Sequence, residues 1–222
     1  MNQLLIILGI LFIPACASIY CSSTYKKFVR KNTKSAISGF EVARKILDKN
    51  GLKDIHIVET SGTMSDHYDP SRKVVRLSKE VFHGTTVASV AIAAHECGHA
   101  IQDKDKYLFM KIRAFIFPVV NISSYIAYIL IIISFVLSSI GLFYLSILLM
   151  SMGVLFQLVT LPVEFNASRR AEVQLKELNT LEERELDGTK SMLTSAALTY
   201  VAGLVSSLLE ILRLILIFRG ND

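Results

Sequence analysis

From Ala114 to Val163 the chain contains no Asp, Glu, Lys or Arg, while the stretches on both sides are densely charged. These fifty residues would make about 75 Å of α-helix, and a hydrocarbon core about 30 Å thick is crossed by roughly 20 residues. The pattern predicts two crossings joined by a turn at Ser138-Ser139-Ile140-Gly141, with Pro118 and Pro162 near the outer ends. A run from Leu4 to about Ile19 predicts an earlier span, and one from near Met192 to Phe218 a later one. Glu210 and Arg213 interrupt the last run; they stand i,i+3 on one helical face and can neutralise each other. Four spans is the expected count.

Between the first two spans the periodicity changes. Phe40 to Leu47 has helical spacing of apolar positions and stops near Gly51, a C-cap signal. Ile55 to Glu59 and Lys73 to Leu77 read as a pair of strands, with a polar turn at Gly62 and a turn signal at Asp69-Pro70-Ser71. After Gly84, Thr85 or Thr86 can cap a helix running from about Val87 to Gln102. That helix is made largely of small apolar residues and must be buried. Farther on, Thr180 and Glu183 have capping-box spacing, and Leu186-Asp187-Gly188 reads as a turn before the last span.

Composition agrees with membrane insertion. Charged residues make up only 19% of the 222, below the quarter or so usual for soluble domains. Disorder, a disulfide-stapled module and an ordinary soluble globule are thereby excluded. The net charge of +5 is mainly a topology signal. Lys26, Lys27, Arg30, Lys31 and Lys34 follow the first span, whereas Met1-Asn2-Gln3 carries no charge, so an uncleaved anchor with its basic side in the cytoplasm is expected. Basic residues mix with acids in no run long enough for nucleic-acid binding, although the juxtamembrane cluster can rest on anionic lipid. The three cysteines are scattered and imply no disulfide framework.

The buried helix carries His95-Glu96-Cys97-Gly98-His99, an HExxH pattern. At 100° per residue the two histidines stand one turn apart on one face and can share one Zn²⁺, with Glu96 beside them to take a proton from water. Burying His, Glu and His in an apolar helix is costly without a cation. Cys97 points away, about 200° around the helix from either histidine, and reads as core. His56, His67 and His83 are isolated; His67 and the adjacent Tyr68 are weak candidates for stabilising a tetrahedral intermediate.

A third ligand must lie on the same side of the membrane. Two crossings return the chain near Val163, and the first residue able to ligate is Glu164. Its rivals are Glu172, Glu177, Glu182, Glu183 and Glu185, which read as a solvated helix, and Asp187. The Leu-Asp-Gly at 186–188 is like the metal-binding element of site-2 proteases. Topology favours Glu164 over these.

The stretches VARKILDKNGL, DHYDPSRKVVRLS, IAAHECGHAIQ, FQLVTLPVEFNASRRA and AALTYVA together resemble, from end to end, the bacterial membrane zinc metallopeptidase family typified by YugP. That family is distantly similar to HtpX-type membrane proteases, in which a Glu beyond a membrane hairpin completes the zinc site. The resemblance implies the third-ligand role for Glu164. Asn166 departs from it, standing where the pattern has Asp, as EFDAS.

The expected fold is a mainly α integral membrane protein of about four transmembrane helices with a small α+β, zincin-like cytoplasmic part. Its expected divisions are an N-terminal anchor (1–21), a soluble segment with HExxH (22–114), a transmembrane hairpin (115–163), a charged helical segment bearing the third ligand (164–191) and a C-terminal transmembrane helix (192–222). The expected function is a multi-pass plasma-membrane zinc peptidase, an endopeptidase acting at the cytoplasmic face on membrane-associated protein or peptide substrates. One zinc ion would be held by His95, His99 and Glu164, with Glu96 as general base, and Lys73 to Leu77 would be the edge that pairs with an extended substrate. Two other readings stand beside it: an intramembrane site-2-type protease using Asp187, and a zinc-binding scaffold that cleaves nothing. Glu96 counts against the scaffold, as does the want of an obvious fourth ligand.

Overall fold

Seven helices and three strands account for most of residues 3–219, the part of the chain that the computed structural model describes. In chain order these are α1 (Gln3–Phe28), α2 (Gly39–Lys49), β1 (His56–Thr60), β2 (His67–Asp69), β3 (Val74–Ser78), α3 (Lys79–His83), α4 (Val87–Lys104), α5 (Leu108–Val136), α6 (Ile140–Leu178) and α7 (Glu183–Arg219). By contacts the described residues fall into two compact units, one from 3–18, 108–162 and 199–219, the other from 19–107 and 163–198.

The first unit is built from apolar helix. Four helices, α1, α5, α6 and α7, are long and apolar enough to cross a membrane. The chain turns between α5 and α6 at Leu137-Ser138-Ser139, one residue earlier than expected, with Ser138 at φ 48°. Pro118 and Pro162 lie inside helices rather than at their ends. A proline removes one backbone donor, and a long helix with good neighbours tolerates that loss. At 39 residues α6 is about 58 Å long, nearly twice the hydrocarbon thickness, so it runs well beyond a single crossing.

In the second unit local signals set the ends of α2. The Ser38 hydroxyl accepts from the Glu41 backbone N–H at 3.2 Å, and the Glu41 carboxylate accepts from the Ser38 N–H at 2.8 Å. This reciprocal box starts the helix. Asn50 caps its far end and Gly51 follows at φ +70°, a conformation glycine adopts freely. Val42, Ala43, Ile46 and Leu47 are fully buried, and this face packs on α4.

The sheet has order β1-β3-β2. β1 runs parallel to β3, with His56 opposite Val74 and Thr60 opposite Ser78. β2 runs antiparallel to β3, with Tyr68 opposite Val75. The Asp69-Pro70-Ser71 signal therefore closes a hairpin of β2 with β3; Asp69 Oδ1 accepts from the backbone N–H groups of Ser71 and Arg72 at 3.0 and 3.2 Å. This corrects the expected edge at Lys73 to Leu77. β3 is the central strand, and Val74, Val75, Leu77 and Ser78 are all buried, the mark of a strand covered on both faces.

The start of α7 differs as well. Leu186-Asp187-Gly188 is helix rather than turn. Lys34 sets the end: its backbone N–H donates to Glu185 at 2.7 Å and its ammonium pairs with Glu182 at 2.6 Å. Glu185 also accepts from the Glu182 N–H at 2.8 Å, so the cap forms there. The expected Thr180–Glu183 box does not form, and the buried Thr180 hydroxyl has no hydrogen-bond partner among the described residues.

Replacing Ser38 by Ala should cost about 1 kcal/mol, the usual worth of an N-cap. Thermal unfolding of the detergent-solubilised protein should show a midpoint lower by roughly 2–8 °C.

Candidate metal centre

Thr86 opens α4, its hydroxyl accepting from the Ser89 N–H at 3.1 Å. The helix is lined with Ala88, Ala91, Ala93, Ala94 and Ala100, all at 1% exposure or less. Small side chains let neighbouring backbones come close. The tightest approach is at Gly98, where an added Cβ would sit 2.5 Å from the carbonyl oxygen of Ala167 on α6. On α6 a stripe of Val163, Ala167, Ala171 and Leu175 is fully buried, the i,i+4 spacing of one helical face.

Glu164 lies one position along from this stripe and is 4% exposed. His95 Nε2 and His99 Nε2 lie 3.3 and 3.6 Å from the same oxygen, Glu164 Oε2. The imidazole rings meet edge to face, with centroids 4.8 Å apart. All three donor atoms fall within 4.8 Å of one another, a grouping that could hold a metal ion. In a tetrahedral zinc site with bonds of about 2.0–2.1 Å, ligand atoms stand about 3.3–3.4 Å apart. The two imidazole–carboxylate spacings are close to that value. Among the described residues no fourth His, Cys, Asp or Glu belongs to the group, which leaves one tetrahedral position for water or substrate.

The other ring nitrogens are engaged from behind. His95 Nδ1 is 3.2 Å from the Ser168 hydroxyl, and His99 Nδ1 is 2.9 Å from Gln102 Oε1. Gln102 is fully buried, and its Nε2 donates to the Val163 carbonyl at 2.8 Å and to Asn166 Oδ1 at 3.0 Å. The Val163 carbonyl can only accept, so the amide must turn its oxygen toward His99. His99 Nδ1 therefore carries the hydrogen, and Nε2 keeps its lone pair for a cation. Asn166 is held in turn by Arg170 Nε at 2.8 Å, and Arg170 pairs with Asp105 at 2.5 Å. The oxygen of Asn166 thus does here what a carboxylate oxygen at that position would do.

Burial alone would push the His99 imidazole toward its neutral form. The Glu164 and Glu96 carboxylates and Gln102 outweigh that effect and hold its pKa above the ordinary value. The pocket favours positive charge, as a cation site must.

The sequence candidates separate clearly. His95, His99 and Glu164 come together. Glu96 is buried, 8% exposed, and no hydrogen bond or ion pair involves its carboxylate among the described residues. Asp187 lies outside the group, in the first turns of α7. The Cys97 thiol contacts the Ala43 carbonyl at 3.6 Å, and burial pushes its pKa up. His67 is exposed with Nδ1 2.8 Å from the Ser65 carbonyl. The Tyr68 hydroxyl donates to Asp103 at 2.8 Å, and burial followed by that carboxylate raises its pKa. His83 pairs with Glu59 at 2.7 Å. Gln102 and Ser168 were not singled out from sequence, although each lies one helical turn beyond a candidate ligand, His99 and Glu164 respectively.

Residues 3–219 match the model of the family described as "Putative neutral zinc metallopeptidase", and the chain belongs to that family. Membership implies zinc. The chain is 43% identical over 207 residues to the "Putative membrane protease YugP" of Bacillus subtilis (strain 168), covering 93% of this chain and 92% of that protein. No solved structure matches it. Its four apolar helices and this relative are consistent with a multi-pass membrane protein.

Two substitutions test the geometry through metal affinity. Gln102→Ala should weaken zinc binding by roughly 10–100-fold, the usual effect of removing a ligand's hydrogen-bond partner. Gly98→Ala should weaken it also, because the new methyl must push α6 away. Competition with a fluorescent zinc chelator measures both.

Proposed function

We propose that the protein is a membrane-embedded zinc peptidase in which His95, His99 and Glu164 hold one ion and Glu96 is the general base. The observation that carries this reading is the grouping of three donor atoms from α4 and α6 beside Glu96, a buried carboxylate of α4 that makes no hydrogen bond or ion pair among the described residues. Zinc bound there supplies a Lewis acid that polarises a carbonyl and acidifies water at neutral pH. Glu96 takes a proton from the water that attacks the scissile carbonyl and delivers it to the departing amine, so that one peptide bond is exchanged for a carboxylic acid and an amine. Ser168 and Gln102 fix the imidazoles while this happens.

The arrangement of a helix bearing both histidines beside a small sheet is zincin-like. β3 is central, so an extended substrate has β1 or β2 to pair with. β2 packs against α4 and is the nearer choice. The exposed Lys26, Lys27, Arg30 and Lys31 support a cytoplasmic active face. Protein or peptide substrates associated with the membrane, and cleavage within the chain rather than at its ends, complete the reading.

Glu96→Gln should retain about one zinc per chain and lose turnover by roughly 10²–10⁴-fold. Glu164→Ala should lose zinc, whereas Asp187→Ala should keep it. Metal analysis of the purified variants, beside a comparison of membrane proteomes from cells with active and Glu96→Gln protein, decides the matter. Turnover near the wild-type rate in Glu96→Gln would refute the assignment.

A further inference from the structure

Helix α1 does not end where its apolar run does. Ile19 and Tyr20 are its last large exposed apolar residues, and the helix continues to Phe28. On this continuation Ser22, Ser23, Lys26 and Lys27 are exposed, as are Arg30 and Lys31 immediately beyond it. At 3.6 residues per turn, Ile19, Ser22, Ser23 and Lys26 share roughly a third of the helix circumference. One exposed stripe therefore reads apolar, then hydroxyl, then cation. At 1.5 Å per residue Lys26 stands about 10 Å beyond Ile19. The headgroup layer adds about 5–8 Å to each side of the hydrocarbon, and a lysine side chain can reach back into it.

The cations have no acid to answer them. The sequence holds no Asp or Glu before Glu41. Among the described residues the side chains of Lys26, Lys27, Arg30 and Lys31 make no ion pair or hydrogen bond. Lys27 and Lys31 Nζ lie 5.1 and 5.6 Å from the centroid of the Phe28 ring, which gathers both charges at one point of the helix end. Neighbouring acids are engaged elsewhere. Glu182 pairs with Lys34 at 2.6 Å, and Glu80 accepts from the Tyr25 hydroxyl at 3.1 Å, about 100° around the helix from Lys26.

An acidic protein or a nucleic acid would satisfy the cations but leave Ile19 and Tyr20 at the foot of the stripe without a counterpart. A phospholipid matches the whole order, with acyl chain, glycerol ester and phosphate in succession. A net negative headgroup adds the charge complement that a zwitterionic one lacks.

We propose that the stripe from Ile19 to Lys31 binds an anionic phospholipid of the surrounding bilayer. Lys26, Lys27, Arg30 and Lys31 hold its phosphodiester, and Ser22 and Ser23 meet its ester region. The end of the stripe is stitched to the helix that bears the histidines. The Lys31 carbonyl accepts from the Val87 N–H at 2.9 Å, and the Thr33 N–H and hydroxyl donate to the Thr85 carbonyl at 2.8 and 3.0 Å. A lipid held there braces the start of α4. The binding does not rest on the peptidase reading.

The test exploits the absence of tryptophan from the chain. Tyr20→Trp places one reporter at the foot of the stripe, and the full chain is reconstituted in phosphatidylcholine vesicles. Brominated phosphatidylglycerol or brominated phosphatidylcholine is then added at equal mole fraction. Quenching should give a relative binding constant roughly fivefold in favour of phosphatidylglycerol, the worth of one cation near an anionic surface. Replacing Lys26, Lys27, Arg30 and Lys31 together by Gln should bring it to about one, with circular dichroism and elution profile unchanged. Lys34→Gln with Glu182→Gln, which removes a pair of no net charge, should leave it as it was. In 1 M salt, where the screening length is about 3 Å, the unaltered cations should also lose the preference. Equal quenching by the two lipids, a preference that survives the fourfold substitution, or one that salt does not move would overturn the proposal. So would loss of the preference in the Lys34–Glu182 control. Binding of fluorescent polyglutamate to the protein in pure phosphatidylcholine, with no preference between lipids, would give the stripe to an acidic protein instead.

Discussion

The candidate metal centre depends on one backbone contact. Gly98 of α4 lies against the Ala167 carbonyl of α6, with no side chain between them. His95 and His99 flank that glycine, and Glu164 lies nearly one turn before the alanine. Contacts between side chains can give by rotating, but two touching backbones cannot. The distance between the imidazoles and the carboxylate is therefore set by the closest possible packing of two helices, and bonds of about 2 Å tolerate little error. The alanine-rich face of α4 and the Ala167–Ala171 stripe of α6 are the compositional expression of the same requirement.

Electrostatics reinforces this geometry. Glu96 and Glu164 are both buried, and burying carboxylates away from water is unfavourable unless cations or donors meet them. The imidazoles answer Glu164 when no ion is present, and a divalent cation would answer it better. Behind the rings, Ser168 and the sequence Gln102–Asn166–Arg170–Asp105 hold each ring in place. The last of these hydrogen bonds reaches the protein surface at Asp105, so a buried ring is oriented from a partly solvated ion pair.

Much of this was legible in the sequence, and the remainder was hidden for identifiable reasons. The uncharged run from Ala114 to Val163, the stop at Gly51, the cap at Thr86 and the HExxH spacing are local signals, and local signals survive folding. Glu164 could be reached by counting crossings, because parity does not depend on packing detail. Strand β2 has only three residues, too few to carry a period. The central place of β3 depends on which strands pair, a long-range outcome, although its unbroken apolar run was a hint. The start of α7 escaped because Lys34, about 150 residues earlier, determines it. The role of Gln102 escaped because it needs α6 to supply the Val163 carbonyl and Asn166.

Asp103, in the last turn of α4, accepts from the Tyr68 hydroxyl of β2 and pairs with Lys73, the residue before β3. These ties fasten the sheet to the helix that bears the histidines. On the peptidase reading proposed above, a peptide laid along β2 would meet the imidazoles at a separation set by these ties. On that reading the scaffold would measure a chain by its backbone, like a ruler, with little regard to the residues measured.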